Sequence, residues 1–139
     1  MMRFVKILFL TIILATALPV HAGPIVIIAN NDVNSPSISA QELQDIFLGN
    51  TDSFQDGAHV VPVTLADGAP AHITLLVLLG KNSSSFRARW RRLVFEGKFS
   101  MPRTFPSEDA LIKYVASTPG AVGYISSGHP TGVKVLSIK

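Results

Sequence analysis

The 139-residue sequence contains no cysteine, which excludes a disulfide-stapled scaffold, a zinc–thiolate or iron–sulfur site and a cysteine nucleophile. Charged residues are also scarce, at 15%, whereas 47% of the residues are hydrophobic. This composition excludes a disordered, highly charged tail protein. The length suits one small domain and leaves little room for a second hydrophobic core.

Part of the hydrophobic share is concentrated at the N-terminus. Residues 1–22 combine Arg3 and Lys6 with a largely apolar run from Ile7 to Leu18, and end in Val20-His-Ala22. These are the parts of a secretory signal peptide, in their usual order. We predict cleavage after Ala22 and a periplasmic or secreted protein with no stable membrane anchor afterwards. An uncleaved anchor is the alternative, and the shortness of the apolar run speaks against it.

The charges of the remaining chain, residues 23–139, are unevenly distributed. Loss of two signal-peptide bases changes the formal net charge from +3 to +1. Six acids and no Lys or Arg lie between Gly23 and Gly80, whereas seven bases and one acid lie between Lys81 and Arg103. We expect this basic stretch to face water or to pair with the acidic half, and we expect no nucleic-acid partner for an exported protein. Linear order leaves open whether Arg87–Arg103 forms a patch in space.

Hydrophobic patterning and turn residues predict the order β-α-β-α-α-α-β-β, which indicates an α/β fold with helices packed on a small sheet. The predicted strands are Pro24–Ala29, Val60–Leu65, Ala121–Ser126 and Val133–Ile138, and Asn30–Ser37 is predicted as a loop. The predicted helices begin after Ser39, at Asp67, at Ser83 or Ser84, and after Ser107. Pro62 predicts either that the second strand lies at an edge of the sheet or that Pro62 lies at an end of the strand.

Several residues predict how these helices begin, end and pack. Ser39 and Glu42 form the pattern of a reciprocal capping box, and Gly49 is predicted to end that helix. The segment 73–79 is apolar on every side, so its helix is predicted to be buried all round or covered by a partner. In the third helix Phe86, Trp90, Leu93 and Val94 are predicted to share the buried face, and in the fourth Leu111, Ile112 and Val115.

The sequence holds little that indicates catalysis. His59, His72 and His129 have no metal-ligand spacing, so we predict no metal site and no cofactor. No serine-nucleophile motif or phosphate-binding P-loop is present, and Glu108-Asp109 is explained by the start of a helix. We therefore predict that the protein is not an enzyme. An exported hydrolase is an alternative without a motif.

One short segment is a candidate anion site. Asp67-Gly-Ala69 lies where a strand turns into a helix, and the free amides of a helix N-terminus can hold an oxyanion. Asp67 could accept a proton from a protonated oxyanion, or it could cap the helix. The residues alone favour the capping role, because aspartate is a common N-cap.

Three segments resemble the substrate-binding component of phosphate ABC transporters. Residues 38–49, ISAQELQDIFLG, resemble that family's helix, and residues 62–68, PVTLADG, resemble its strand leading into the anion loop. Residues 107–125 resemble its helix, turn and strand, which end in PGAVGYI here. The stretch from Arg89-Trp90 to Gly97 also resembles short, stand-alone members of the family.

This resemblance implies that residues 23–139 form a single lobe of a type II periplasmic-binding-protein-like fold. It implies a non-enzymatic solute-binding protein for phosphate or another oxyanion, with Asp67, Gly68 and Ala69 as candidate anion-binding residues. An ABC transporter permease or another periplasmic protein is the implied partner. The family's loop reads Arg-x-Asp-Gly-Ser-Gly-Thr, whereas Leu65, Ala69 and Ala71 replace its Arg, Ser and Thr here. The alternative is a ligand-free interaction module that uses the apolar helix 73–79 or the face of the missing lobe.

Overall fold

A computed structural model describes residues 23–139, so the predicted signal peptide, residues 1–22, lies outside the described residues. The described chain forms ten elements: β1 (Val26–Ala29), β2 (Ser37–Ile38), α1 (Ala40–Phe47), β3 (Val61–Leu65), α2 (Pro70–Leu79), α3 (Ser83–Phe95), β4 (Arg103–Phe105), α4 (Glu108–Ser117), β5 (Ala121–Ile125) and β6 (Lys134–Ile138). They include all eight predicted elements in the predicted order. The α/β fold class, with helices beside a small sheet, is confirmed.

The strands form one mixed sheet in the order β2-β6-β1-β5-β3-β4. β1 is antiparallel to both β5 and β6, whereas β3 is parallel to its neighbours β5 and β4. All five residues of β5 are buried. A Cβ on Gly123 would meet Leu111 of α4, whereas the next residue, Tyr124, contacts Phe47 of α1. Since neighbouring strand residues point to opposite faces, helices cover both faces of the sheet at β5.

The strand predictions need two corrections. β2 ends the segment predicted as a loop, and β4 was not predicted, because two or three residues carry too little pattern and depend on pairing with a longer strand. β3 is not an edge strand, since β4 lies outside it. Pro62 is tolerated near the strand end: it pairs with Val122 of β5, and pairing with β4 begins only at Val63.

The caps of α1 and α3 differ from the prediction. The Ser39 hydroxyl accepts the Glu42 amide at 3.0 Å, but the Glu42 carboxylate accepts the Gln55 amide instead of completing the box. A reciprocal capping box occurs at α3, where the side chains of Asn82 and Ser85 each accept the other's backbone amide. The hydroxyl of Ser107 caps α4 as predicted, by accepting the amide of Ala110.

Helix α2 is not buried on every side, as its composition had suggested. Its inner face is buried, but Ile73, Val77 and Leu78 are 41–51% exposed. An apolar composition does not reveal which face meets solvent, and the neighbouring elements cover only part of this helix. Coverage of the outer face by a partner remains a prediction.

The third helix needs a smaller correction of the same kind. Helix α3 buries Phe86, Trp90 and Leu93 as predicted, whereas Val94 is 43% exposed. In α4, Leu111 and Val115 are buried and Ile112 is half-buried.

Gly49 ends α1 as predicted, and it also sets how closely α3 approaches. Its φ of 68° lies in the left-handed region that favours glycine. A Cβ there would lie 2.3 Å from Leu93 Cδ1 and 3.1 Å from the Trp90 ring. The indole N–H of Trp90 donates to the Phe47 carbonyl at 3.0 Å, which fastens α3 to the end of α1.

Candidate functional site

A cavity of about 320 Å³ opens beside the loop that joins β3 to α2. Its wall includes the end of β3, the start of α2, one side of α3 and the edge strand β4. The lining residues are Thr64, Leu65, Ala66, Asp67, His72, Phe86, Arg87, Trp90, Met101, Pro102 and Thr104. Asp67 in this loop and His72 on α2 are close in sequence, and the fold brings Arg87 of α3 beside them.

The loop does not use Asp67 to cap α2, and the capping prediction is wrong. The N-cap is Ala69, which provides no side-chain hydrogen bond, and Pro70 occupies the first turn. Ile73 is the first residue of α2 whose amide donates to a backbone carbonyl among the described residues, namely that of Ala69. The Asp67 carboxylate is therefore available for other contacts.

Asp67 pairs with Arg87 of α3. One guanidinium nitrogen of Arg87 donates to Asp67 Oδ2, and both side chains are about half exposed, at 52% and 50%. The arginine that the family's loop carries in sequence is Leu65 here, and Arg87 places a guanidinium at that loop from another helix. Arg87 is therefore one base of the Lys81–Arg103 stretch that pairs with a carboxylate of the acidic half.

The other arginines of the basic stretch that make side-chain contacts lie elsewhere. Arg89 donates to the Leu48 carbonyl and to Asn50 Oδ1, at the end of α1. The guanidinium of Arg103 lies 5.2 Å from the Tyr114 ring centroid and 5.7 Å from that of Phe105. Arg87–Arg103 therefore does not act as one patch around the anion loop.

His72 lies behind the ion pair, on the first turn of α2, and is 2% exposed. Its Nδ1 lies 2.5 Å from the hydroxyl of Tyr124 on β5, and that hydroxyl accepts the Leu65 amide at 2.8 Å. The described residues offer the phenol proton of Tyr124 no acceptor other than His72 Nδ1, so this proton is directed at Nδ1. Nδ1 then accepts, and the neutral ring carries its proton on Nε2.

Burial supports this protonation state. Removal from water lowers the pKa of His72 from its ordinary 6.5, and the nearby Asp67 carboxylate opposes this with a smaller effect. Burial also raises the pKa of the Tyr124 phenol, and this outweighs the hydrogen bond from the Leu65 amide, which acts to lower it. Both groups are therefore uncharged at neutral pH, and a phenol donating to a neutral imidazole satisfies the pair.

His72 Nε2 is a buried nitrogen without a hydrogen-bond partner in the described chain. The nearest carboxylate oxygen, Asp67 Oδ1, lies 3.6 Å away, beyond ordinary hydrogen-bond reach. An unmade hydrogen bond on a buried donor is costly, and native proteins rarely leave one. His72 and Asp67 both line the cavity, so a molecule bound beside Asp67 Oδ1 would lie close to this N–H.

The structure places the three sequence-predicted anion residues differently. Asp67 lines the cavity, whereas Gly68 and Ala69 do not. A Cβ on Gly68 would contact nothing within 4 Å, so this glycine borders open space. Sequence reasoning missed the roles of Arg87, His72 and Tyr124. The one signal that the sequence offered for them was a histidine, His72, in the first helical turn after the loop.

A larger cavity, about 640 Å³, lies near the start of β3. Its lining includes Asp52, His59 and Arg103, all of which are exposed. None of its described polar side-chain atoms is both buried and unpartnered, in contrast to His72 Nε2. The smaller cavity is therefore the better candidate site.

Within residues 23–139, no three His, Cys, Asp or Glu side chains are grouped to hold a metal ion. In the same part of the chain, none of the helices has the length and apolar character needed to cross a bilayer.

Comparison with solved structures finds the same fold in phosphate-binding proteins. A putative phosphate ABC transporter substrate-binding protein from Clostridium perfringens, solved with bound phosphate, superimposes with a TM-score of 0.65 at 16% identity. An ABC-type phosphate transport receptor from Vibrio cholerae gives 0.64 at 15% identity, and PstS from Borrelia burgdorferi gives 0.56 at 16%. No family model and no curated protein sequence matches the chain.

The share of each chain that is superimposed shows which part of the neighbours' fold this chain has. The superposition covers 83–84% of this chain but only 44–47% of those three proteins. The chain thus spans less than half the length of its structural neighbours and has the fold of a single lobe. The expected architecture, one lobe of a phosphate-receptor-like fold, is confirmed.

Proposed function

We propose that this chain is an exported, non-enzymatic solute-binding protein of the phosphate-transport type, which binds phosphate or another oxyanion weakly in the cavity beside Asp67. The observation that carries the proposal is the meeting of Arg87 and the buried, unpartnered N–H of His72 at the loop before α2. Both groups donate hydrogen bonds, as an oxyanion requires. The bound-phosphate neighbour with the same fold supports the choice of ligand class.

The donors replace some of the family groups that this chain lacks. Arg87 uses one guanidinium nitrogen for Asp67 and has further N–H donors for a ligand. The first turn of α2 also borders the cavity, through His72, and the helix dipole there favours negative charge. Asp67, as an acceptor, can hold the hydroxyl of a protonated oxyanion.

Weak binding is proposed for two reasons. Ala69 and Ala71 lack the hydroxyl groups of the family's Ser and Thr, and Pro70 has no amide proton to donate. In addition, residues 23–139 have the fold of one lobe, so they contact a ligand in this cavity from one side only. We propose that an ABC transporter permease or another periplasmic protein completes the assembly that uses the bound solute.

Titration calorimetry of the full-length chain with inorganic phosphate, and with sulfate at matched ionic strength, tests the proposal. We expect phosphate to bind, and the variant Arg87→Gln to weaken its affinity at least tenfold, because a charged hydrogen bond is worth about 1.5–3 kcal/mol. Arg91→Gln on the same helix is the matched control, since Arg91 does not line the cavity. Equal affinities of both variants for phosphate, or no binding of any oxyanion, would contradict the proposal.

A ligand-free interaction module is the second candidate, and the exposed outer face of α2 favours it. Ile73, Val77 and Leu78 together present an apolar surface of the kind that other proteins cover. Sedimentation equilibrium across a hundredfold range of concentration tests self-association through this face. If the module is correct, the mass rises with concentration and the double variant Val77→Ser/Leu78→Ser abolishes the rise, while Val94→Ser on α3 does not.

A further inference from the structure

The cavity is polar at one end only. Asp67, Arg87 and His72 lie together where β3 passes into α2. Inorganic phosphate is polar on every side, so a site built for it surrounds it with hydrogen-bonding groups. Here those groups can reach only one side of a bound anion.

The remaining wall is apolar and aromatic. Phe86 and Trp90 of α3 are 6% and 3% exposed and form the inner wall, and Met101 and Pro102 form the wall towards β4. Trp90 offers no polar contact to the cavity, because its indole N–H already donates to the Phe47 carbonyl. A ligand that fills this part must be apolar there.

The polar groups beside this wall are also already partnered. The hydroxyls of Thr64 and Thr104 lie 3.1 Å apart and hydrogen-bond to each other across β3 and β4. His72 Nε2 remains the buried donor that lacks a partner. Its N–H marks where the charged head of a ligand belongs, and the apolar wall marks where the rest of it goes.

The volume agrees with a ligand larger than an inorganic anion. At about 320 Å³ the cavity falls within the range of small-molecule sites, which combine mostly apolar walls with a few placed polar groups. A five-atom oxyanion held at the polar end leaves most of this space unfilled. From the one-sided polarity and the size, we infer that the ligand is an organic oxyanion: a phosphonate or phosphomonoester head on Arg87 and His72, with an apolar substituent against Phe86, Trp90 and Met101. This inference rests on the proposed oxyanion function and narrows it.

Calorimetric titration of the full-length chain with three probes tests the inference: inorganic phosphate, methylphosphonate and phenylphosphonate. We expect phenylphosphonate to bind at least about tenfold more tightly than either of the others, because its ring leaves water for the apolar wall. Met101→Ser should reduce that advantage severalfold, because Met101 forms part of the apolar wall. Met101 is half exposed, so this variant should fold, and thermal unfolding checks that it does.

Phe95→Ser is the matched control, since Phe95 is 93% exposed on the same helix as Phe86 and lies outside the cavity. It should leave all three affinities unchanged. Inorganic phosphate binding as tightly as phenylphosphonate would overturn the inference and leave the proposed function standing. An unaltered phenylphosphonate advantage in Met101→Ser would overturn the placement of the substituent. Absence of binding by all three probes would overturn both the inference and the proposed function.

Discussion

His72 Nδ1 lies 2.5 Å from the hydroxyl of Tyr124, a buried contact between side chains 52 positions apart in the chain. The same hydroxyl accepts the Leu65 amide, so one oxygen joins the first turn of α2 to the end of β3 and to the central strand β5. The orientation of the candidate donor, His72 Nε2, thus depends on a residue that does not itself line the cavity.

We predict that Tyr124→Phe lowers the free energy of unfolding by about 1–3 kcal/mol, because it leaves the buried Leu65 amide and His72 Nδ1 without a partner. Urea denaturation measures this loss. Tyr114→Phe is the control: the Tyr114 hydroxyl makes no hydrogen bond among the described residues, so its loss should change stability by less than about 0.5 kcal/mol. Nitrogen-15 shifts of the His72 ring should also show loss of the single Nε2–H tautomer in Tyr124→Phe; an unchanged tautomer would contradict the positioning role.

His72 should make stability depend on pH. Burial lowers its pKa in the folded state, so the unfolded state binds the proton more readily. Above pH 6.5 the neutral His72 ring makes its full contribution to the free energy of unfolding. That contribution should be lost as the pH falls from 6.5 towards the lower pKa of His72 in the folded state. Urea denaturation between about pH 7.5 and about pH 5.5 should therefore give a fall in stability that His72→Gln reduces. His129→Gln, which removes an exposed histidine, should leave the fall unchanged; an equal reduction by both variants would refute this assignment.

Because Asp67 does not cap α2, its removal should matter little to the fold. Asp67→Ala breaks only an exposed ion pair, and we expect the free energy of unfolding to change by less than about 1 kcal/mol. Ser107→Ala is the comparison, since it removes a real cap of α4 and should destabilise by about 1 kcal/mol or more. A larger loss from Asp67→Ala than from Ser107→Ala in chemical denaturation would restore the capping role.

Alanine substitutions at Gly49 and Gly57 distinguish the cost of backbone strain from the cost of side-chain crowding. Both have positive φ, at 68° and 87°, so alanine at either position carries the cost of a left-handed conformation, about 1–2 kcal/mol. A Cβ at Gly57 meets nothing within 4 Å, whereas at Gly49 it lies 2.3 Å from Leu93 Cδ1. We expect Gly49→Ala to destabilise by a further 1–3 kcal/mol or so beyond Gly57→Ala, because it overpacks the α1–α3 contact. Equal losses in thermal unfolding would show that the contact with Leu93 relaxes freely.

Local signals in the sequence predicted most of the fold. Ser39 and Ser107 mark helix starts through hydrogen bonds that span three residues, and Gly49 ends α1 through its own backbone conformation. Such features depend on neighbouring residues alone. β2 and β4 could not be predicted, since they become strands only by pairing with β6 and β3.

The candidate site was less accessible to sequence reasoning. Asp67 stands out as an acid before a helix, but the choice between cap and ligand group depends on Arg87, twenty positions away on α3. The role of His72 depends on Tyr124, from a different layer of the fold. These are tertiary contacts, and no spacing within the sequence encodes them. The resemblance to phosphate receptors drew attention to the loop that borders the cavity, but nothing in that loop indicated that Arg87 would lie beside it.

The two outermost strands leave the sheet little free backbone to which another chain could bond. β2 has two residues and follows Pro36, and β4 has three residues between Pro102 and Pro106. Short edges bordered by proline offer few amide and carbonyl groups in register, so they resist the strand addition through which sheets aggregate. The sheet of residues 23–139 is thus protected along these two edge strands. A protein that joins it must use side chains, on α2 or around the mouth of the cavity, rather than extend the sheet.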